Sequence, residues 1–279
     1  MNPILEVWLI VQREVRKNLR SVKGLVMLSL SILGAMACTF RIPKIEDTLA
    51  TAKQLGADQV HEVKSKFFAE IYGSESAGDR LADAPIKLVL LFWLAVWLTP
   101  LLVAILGFDG VPSDVQYRSV RYWTIRTRRA SYYVGKFLGL WVVISTITLV
   151  MHGLIWGVTI VRADATAAET LGWGVRFYLI SLPISAAWCG IATLIASQLR
   201  TPILALLLTC SAFFVLFFTG AVVGRNMQNA VLQGMYPNGY DAWMLSTDTT
   251  HALTGLAITL AFAAVTTAAG AFIFSLRDL

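Results

Sequence analysis

The chain has 279 residues, 57% hydrophobic and only 14% charged, with a mean hydropathy of +0.66. A soluble domain is about 45–50% apolar and about 25% charged, so lipid rather than water is the solvent for most of this surface. The net charge of +6 is spread along the chain instead of gathered on one soluble domain, which excludes a nucleic-acid partner.

In chain order, residues 1–23 form the first element. Ile4, Trp8, Val11, Val15, Leu19 and Val22 recur at steps of three and four, which puts them on one helical stripe. Arg13, Arg16, Lys17 and Arg20 take the other side. Such a helix is expected to lie in the membrane interface, apolar side toward lipid. Each base near anionic headgroups then adds about 1 kcal/mol.

Six apolar runs follow: 24–40, 86–108, 137–161, 173–196, 202–223 and 251–276. About 20 residues cross a hydrocarbon core of about 30 Å, and only helices satisfy their own backbone there, so all six are expected to be transmembrane helices. The first is the shortest and draws on its flanks. Its Ala35-Met36-Ala37 mimics a signal-peptide cleavage site. The charged region before it is too long and holds Glu6 and Glu14, so the span is expected to be retained.

Residues 41–85 form a long extracytoplasmic loop, where Val60, Val63, Phe67 and Ile71 keep helical spacing. The loop is expected to be helical. It could cap the outer mouth, meet an extracytoplasmic partner, or simply connect two spans. In the last outer loop, Pro237-Asn238-Gly239 marks a turn between two short helices dipping back toward the membrane.

Between the second and third runs lies Asp109–Lys136, DGVPSDVQYRSVRYWTIRTRRASYYVGK, with six Lys/Arg and two Asp. An Arg at the bilayer centre costs about 3 kcal/mol, so this segment is aqueous. With both termini inside, the inner segments hold 13 Lys/Arg and five Asp/Glu, and the outer ones eight and 12. That bias puts both termini and Asp109–Lys136 in the cytoplasm.

Nothing in the chain reads as catalytic. There is no G-x-x-x-x-G-K-[ST] and no G-x-S-x-G, and His61-Glu62 has Ser65 where a zinc protease needs its second His. Cys38, Cys189 and Cys210 lack paired spacing and read as small core residues. Asp109, His152 and Arg176 are the ionisable residues in or beside the spans that could line a pathway. Asp109 and Arg176 could equally reach the interface, and His152 could be neutral between helices. Without a chain of carboxylates across the spans, or matched broken helices in two halves, a channel or secondary transporter is disfavoured.

The Asp109–Lys136 segment resembles that of the permease subunit of ABC-2 type (type V exporter-like) ABC transporters, approximately D-a-i-a-g-E-r-e-e-g-T-l-r with a closing G-K. Asp109 falls on the first Asp, Asp114 replaces the Glu, Ser119 falls on the Thr, and Val120 and Arg121 on the next two positions. Gly135-Lys136 match the closing pair, and Phe274-Ser275-Leu276-Arg277-Asp278-Leu279 resembles the family's ending. The family's Gly before the Thr is Arg118 here, and Thr127-Arg128-Arg129-Ala130 stands for its Pro-x-S-R.

The resemblance implies an all-α integral membrane fold over residues 1–279. An N-terminal elbow helix would precede six transmembrane helices, with a cytoplasmic coupling helix between spans two and three. It implies a multi-pass protein of the plasma membrane, as in a bacterial inner membrane, paired with a second permease copy or paralogue and with two ABC ATPase subunits. ATP and Mg would be held by those ATPases, with no cofactor and no catalysis in this chain. Asp114, Arg118, Ser119, Arg121, Tyr122 and Trp123 would form the ATPase-coupling interface. Some relatives transmit force to an extracytoplasmic machine instead of transporting, and the loop 41–85 suits that alternative.

Overall fold

The computed structural model describes residues 2–41, 57–162, 165–224, 227 and 230–277, and among them every regular element is a helix. Helix α1 (Pro3–Arg20) starts at Asn2, whose side-chain oxygen accepts from the Ile4 N–H at 3.1 Å, with Pro3 at the first helical position. Glu6 in its first turn and Lys17 and Arg20 in its last complement the helix dipole. Ser21 is extended, and the chain turns through 68° into α2 (Val22–Arg41). Only glycine fits at position 24 in this corner, because a Cβ would collide with the Asn18 carbonyl.

The helix expected within 41–85 is α3 (Ala57–Tyr72), which packs on α4 (Glu75–Ala82). Its buried side chain is Phe68, while Val63 and Phe67 of the expected stripe are exposed. Residues 42–56 lie outside the described part of the loop.

The remaining elements are α5 (Ile86–Gly107), α6 (Pro112–Gln116), α7 (Ser119–Arg126), α8 (Arg129–Val161), α9 (Ala167–Gln198) and α10 (Pro202–Phe217). Helix α10 runs into a π-turn at Phe218–Gly224. Then come α11 (Ala230–Gly234), a 3-10 turn at Pro237–Tyr240, α12 (Asp241–Leu245) and α13 (Thr249–Leu276). Among the described residues, five helices are long and apolar enough to cross a membrane: α5 (continuing into α6), α8, α9, α10 with its π-turn, and α13. The bent pair α1–α2 makes a sixth if counted as one span. Helix α8 begins at Arg129 rather than Phe137, and α9 at Ala167 rather than Trp173. Caps and polar ties end these helices, and hydropathy marks only their apolar stretches.

Helix α9 is the central post, packed against α5, α8 and α13. Its Phe177 stacks on Phe92 of α5 at 5.1 Å, and its Trp188 meets Phe213 of α10 edge-on at 4.6 Å. Pro100 lies inside α5 and has no N–H to give the Val96 carbonyl. Asn238 takes over that role. Its Nδ2 donates to the Val96 oxygen at 3.1 Å and its Oδ1 accepts from Trp188 Nε1 at 2.7 Å. The Pro-Asn-Gly turn does lie between two short helices, and it also ties α5 to α9 in the core.

Candidate functional site

The chain leaving α5 makes two short helices before α8 begins. Pro112 starts α6, and the chain then passes through Arg118 in the left-handed region at φ 58°. Among the described residues Arg118 is the one non-glycine with positive φ, a conformation costing about 1–2 kcal/mol for an L side chain. Helix α7 follows and stops at Thr127, whose hydroxyl donates to the Trp123 carbonyl at 2.8 Å.

This segment is braced by a buried ion cluster. The Lys136 ammonium, on α8, donates to Glu14 of α1 at 2.7 Å, to Asp114 of α6 at 2.6 Å and to the Gly110 carbonyl at 2.7 Å. All three ammonium protons are used. Asp114 also accepts from the Tyr132 hydroxyl at 2.6 Å and the Ser119 hydroxyl at 2.9 Å. The side chains of Lys136, Glu14 and Asp114 are 2%, 3% and 7% exposed. Two carboxylates against one ammonium leave a negative charge, which Arg13 answers from 3.8 Å while lying over the Trp123 ring.

Close approach of α1 to α8 makes the cluster possible. A Cβ on Gly135 would sit 2.7 Å from Ile10 Cβ, and one on Gly139 would sit 2.6 Å from Glu14 Cβ. A Gly-x-x-x-Gly face thus admits the helix backbone. Helix α1 accordingly buries Glu6, Ile10, Val11, Glu14 and Asn18, while Ile4, Trp8 and Val22 of the apolar stripe stay exposed. Glu6, Glu14 and Asn18 face the protein, Arg16 and Arg20 are exposed, and the N-terminal part of the apolar stripe, Ile4 and Trp8, faces outward.

Further ties gather helix ends at the same level. Glu6 accepts from the Arg128 N–H at 3.1 Å, supplying α8 with the cap that Arg128 does not give itself. That N–H holds the Glu6 carboxyl below its ordinary range. Arg129 donates to the Ser275 and Arg277 carbonyls, each at 2.9 Å, at the end of α13. Arg277 in turn donates to the Ser197 carbonyl at the end of α9. Phe274 is buried and stacks on Tyr132 at 5.6 Å.

The residues expected at a coupling interface divide in two. Arg118, Arg121 and Tyr122 are exposed, and so are Tyr117 and Ile125 of the same segment, the three large side chains Tyr117, Tyr122 and Ile125 at 75–82%. Asp114 lies inside, Ser119 is half-buried and bonded to it, and Trp123 is half-buried under Arg13. Asp109, His152 and Arg176 are not brought together. Asp109 pairs with Lys23 beside the cluster. His152 is buried in α8, its Nδ1 2.9 Å from the Thr148 carbonyl, between Trp156 and Tyr178. Arg176, near the start of α9, lies over Trp173.

Glu14, Tyr132 and the pairing of Lys136 with Asp114 are not legible in the sequence. The signal was present in two acids on an otherwise basic helix and in Gly135-x-x-x-Gly139. Cys189 is buried, whereas Cys210 is exposed on α10, against the expectation of a core residue. Among the described residues no group of three or more His, Cys, Asp or Glu could hold a metal. The cluster has no nucleophile or proton shuttle at a cleft. What it can do is hold α6 and α7 rigidly to α1 and α8. Compared with known proteins, the chain matches no protein-family model and no curated protein.

Proposed function

We propose that this chain is the membrane-spanning permease subunit of an ABC-2 type transporter, moving its cargo with ATP hydrolysed by separate ATPase subunits. The observation that carries the reading is the exposure of Tyr117, Tyr122 and Ile125 on a segment tied, through Ser119 and Asp114, to an ion cluster that is itself almost wholly buried. An exposed aromatic and basic patch is the composition that protein partners select. Its rigid mounting suits a lever, because a push on α7 passes to α1 and α8 through Lys136 without loss in a soft joint. The ATPase cycle would bias a two-state membrane domain from outside it. On this reading α1 is the interfacial elbow helix, α7 belongs to the coupling segment, and both termini are cytoplasmic. A second copy or paralogue completes the permease.

The test is purification of the tagged chain from its own membranes in mild detergent. A Walker-type ATPase should co-purify, and Tyr122→Asp should abolish its retention while leaving the melting temperature unchanged. Transport by vesicles holding this chain alone, without ATP, would refute the proposal.

Exposed Val63 and Phe67 on α3 favour a second reading, in which the same ATPase cycle moves an extracytoplasmic partner. Removing 57–82 should then abolish partner binding and spare ATPase stimulation.

A further inference from the structure

Two cavities share Trp97 and Tyr236 and together make one amphipathic cleft. The first, of about 410 Å³, is lined by Tyr72, Trp93, Trp97, Tyr236 and Asp241. The second, of about 220 Å³, is walled by Leu101, Phe213 and Phe217 from α5 and α10. Small-molecule sites occupy roughly 300–1,000 Å³ and combine an apolar wall with a few polar groups.

Among the described residues the polar end lacks a countercharge. Asp241 Oδ1 accepts from the adjacent Ala242 N–H at 2.6 Å, and no Lys or Arg among the described residues pairs with it. Burial pushes its carboxyl up to about 7, as expected of an acid without a cation. The buried Tyr72 hydroxyl has no hydrogen-bond partner among the described residues. Trp93 and Trp97 stand 5.7 Å apart, and aromatic faces attract an ammonium group within about 6 Å. A single carboxylate is too few oxygen ligands for a divalent cation. The π-turn contributes Gly220 and Ala221 to the wall, and π-turns concentrate at functional sites.

We propose that this cleft binds an amphiphile with an ammonium head, the head against Asp241, Trp93 and Trp97 and the alkyl chain along Leu101, Phe213 and Phe217. An aminophospholipid headgroup and a free long-chain amine carry the same chemistry. The inference concerns binding alone and goes beyond the transport reading.

The test is native mass spectrometry of the full chain in neutral detergent. The probes are phosphatidylethanolamine, phosphatidylglycerol with the same acyl chains, and dodecyltrimethylammonium. At least one ammonium probe should be retained tenfold or more over phosphatidylglycerol, and Asp241→Asn should abolish that preference. Stronger retention of phosphatidylethanolamine assigns the lipid source, and stronger retention of dodecyltrimethylammonium assigns a free single-chain ammonium amphiphile. Leu101→Trp, at a half-exposed position away from the acid, should narrow the apolar cavity and cut retention tenfold even if Asp241→Asn fails to fold. Equal retention of phosphatidylglycerol, or unchanged retention in Leu101→Trp, would overturn the proposal.

Discussion

Replacing Lys136 by Met keeps most of the side-chain volume and removes the charge. Glu14 and Asp114 then face each other across a site where neither exceeds 7% exposure, with Arg13 still 3.8 Å from Asp114. Breaking a buried ion pair by removing one partner costs about 3–5 kcal/mol, because the other charge stays desolvated. The Gly110 carbonyl also loses its donor, adding about 1 kcal/mol. At about 2–4 °C per kcal/mol, Lys136→Met should lower the melting temperature by about 10 °C or more. Fluorescence-detected thermal unfolding in detergent reads this directly. The triple variant Lys136→Met, Glu14→Gln, Asp114→Asn removes all three charges and should recover at least half the loss. A single variant melting within about 2 °C of the parent would show that the cluster carries no net stabilisation and would refute the strut argument.

Asn238→Ala should cost about 2–5 kcal/mol, since it orphans both the Val96 carbonyl and the Trp188 N–H. In a Pro100→Ala background that cost should shrink, because the helix regains its own donor for Val96; a double-mutant cycle on melting temperature measures the coupling. Gly135→Leu should displace α1 and expose it to protease, while Gly153→Leu on the same helix, where nothing lies within 4 Å of a Cβ, should leave cleavage unchanged. Asp241 is protonated more readily in the fold than when unfolded. Its contribution is therefore full below about pH 4 and lost as pH rises through about 7. Melting curves from pH 5 to 8 should fall more steeply for the parent than for Asp241→Asn.

The apolar runs located the long helices because a membrane demands unbroken hydrocarbon over a set length. The spacing of Val60, Val63, Phe67 and Ile71 revealed α3 for the equally simple reason of helical period. Neither signal says which side of a helix meets protein. In lipid both surroundings are apolar, so hydropathy could not show that α5 buries Phe92 and leaves Trp97 outward. On α1 the apolar stripe could not show which other residues meet the protein, and those the helix buries include Glu6, Glu14 and Asn18. The cluster joins Glu14 to a Lys136 that is 122 residues away, a pairing no local pattern carries. Small residues at Gly135 and Gly139 were the available clue to a helix crossing. A proline within an apolar run, with an asparagine in a distant turn, was the available clue to the Asn238 tie.

Pro100 leaves α5 one internal bond short, and the missing bond is replaced by one that crosses to another part of the chain. Flexing α5 at that point stretches the Asn238–Val96 contact, so the helix cannot bend alone. Either the Pro-Asn-Gly turn moves along with it and pulls on Trp188, or the contact breaks and an orphaned carbonyl opposes the motion. The proline hinge is in effect bolted from one end of the molecule, and whatever draws the bolt sets how freely the span can flex.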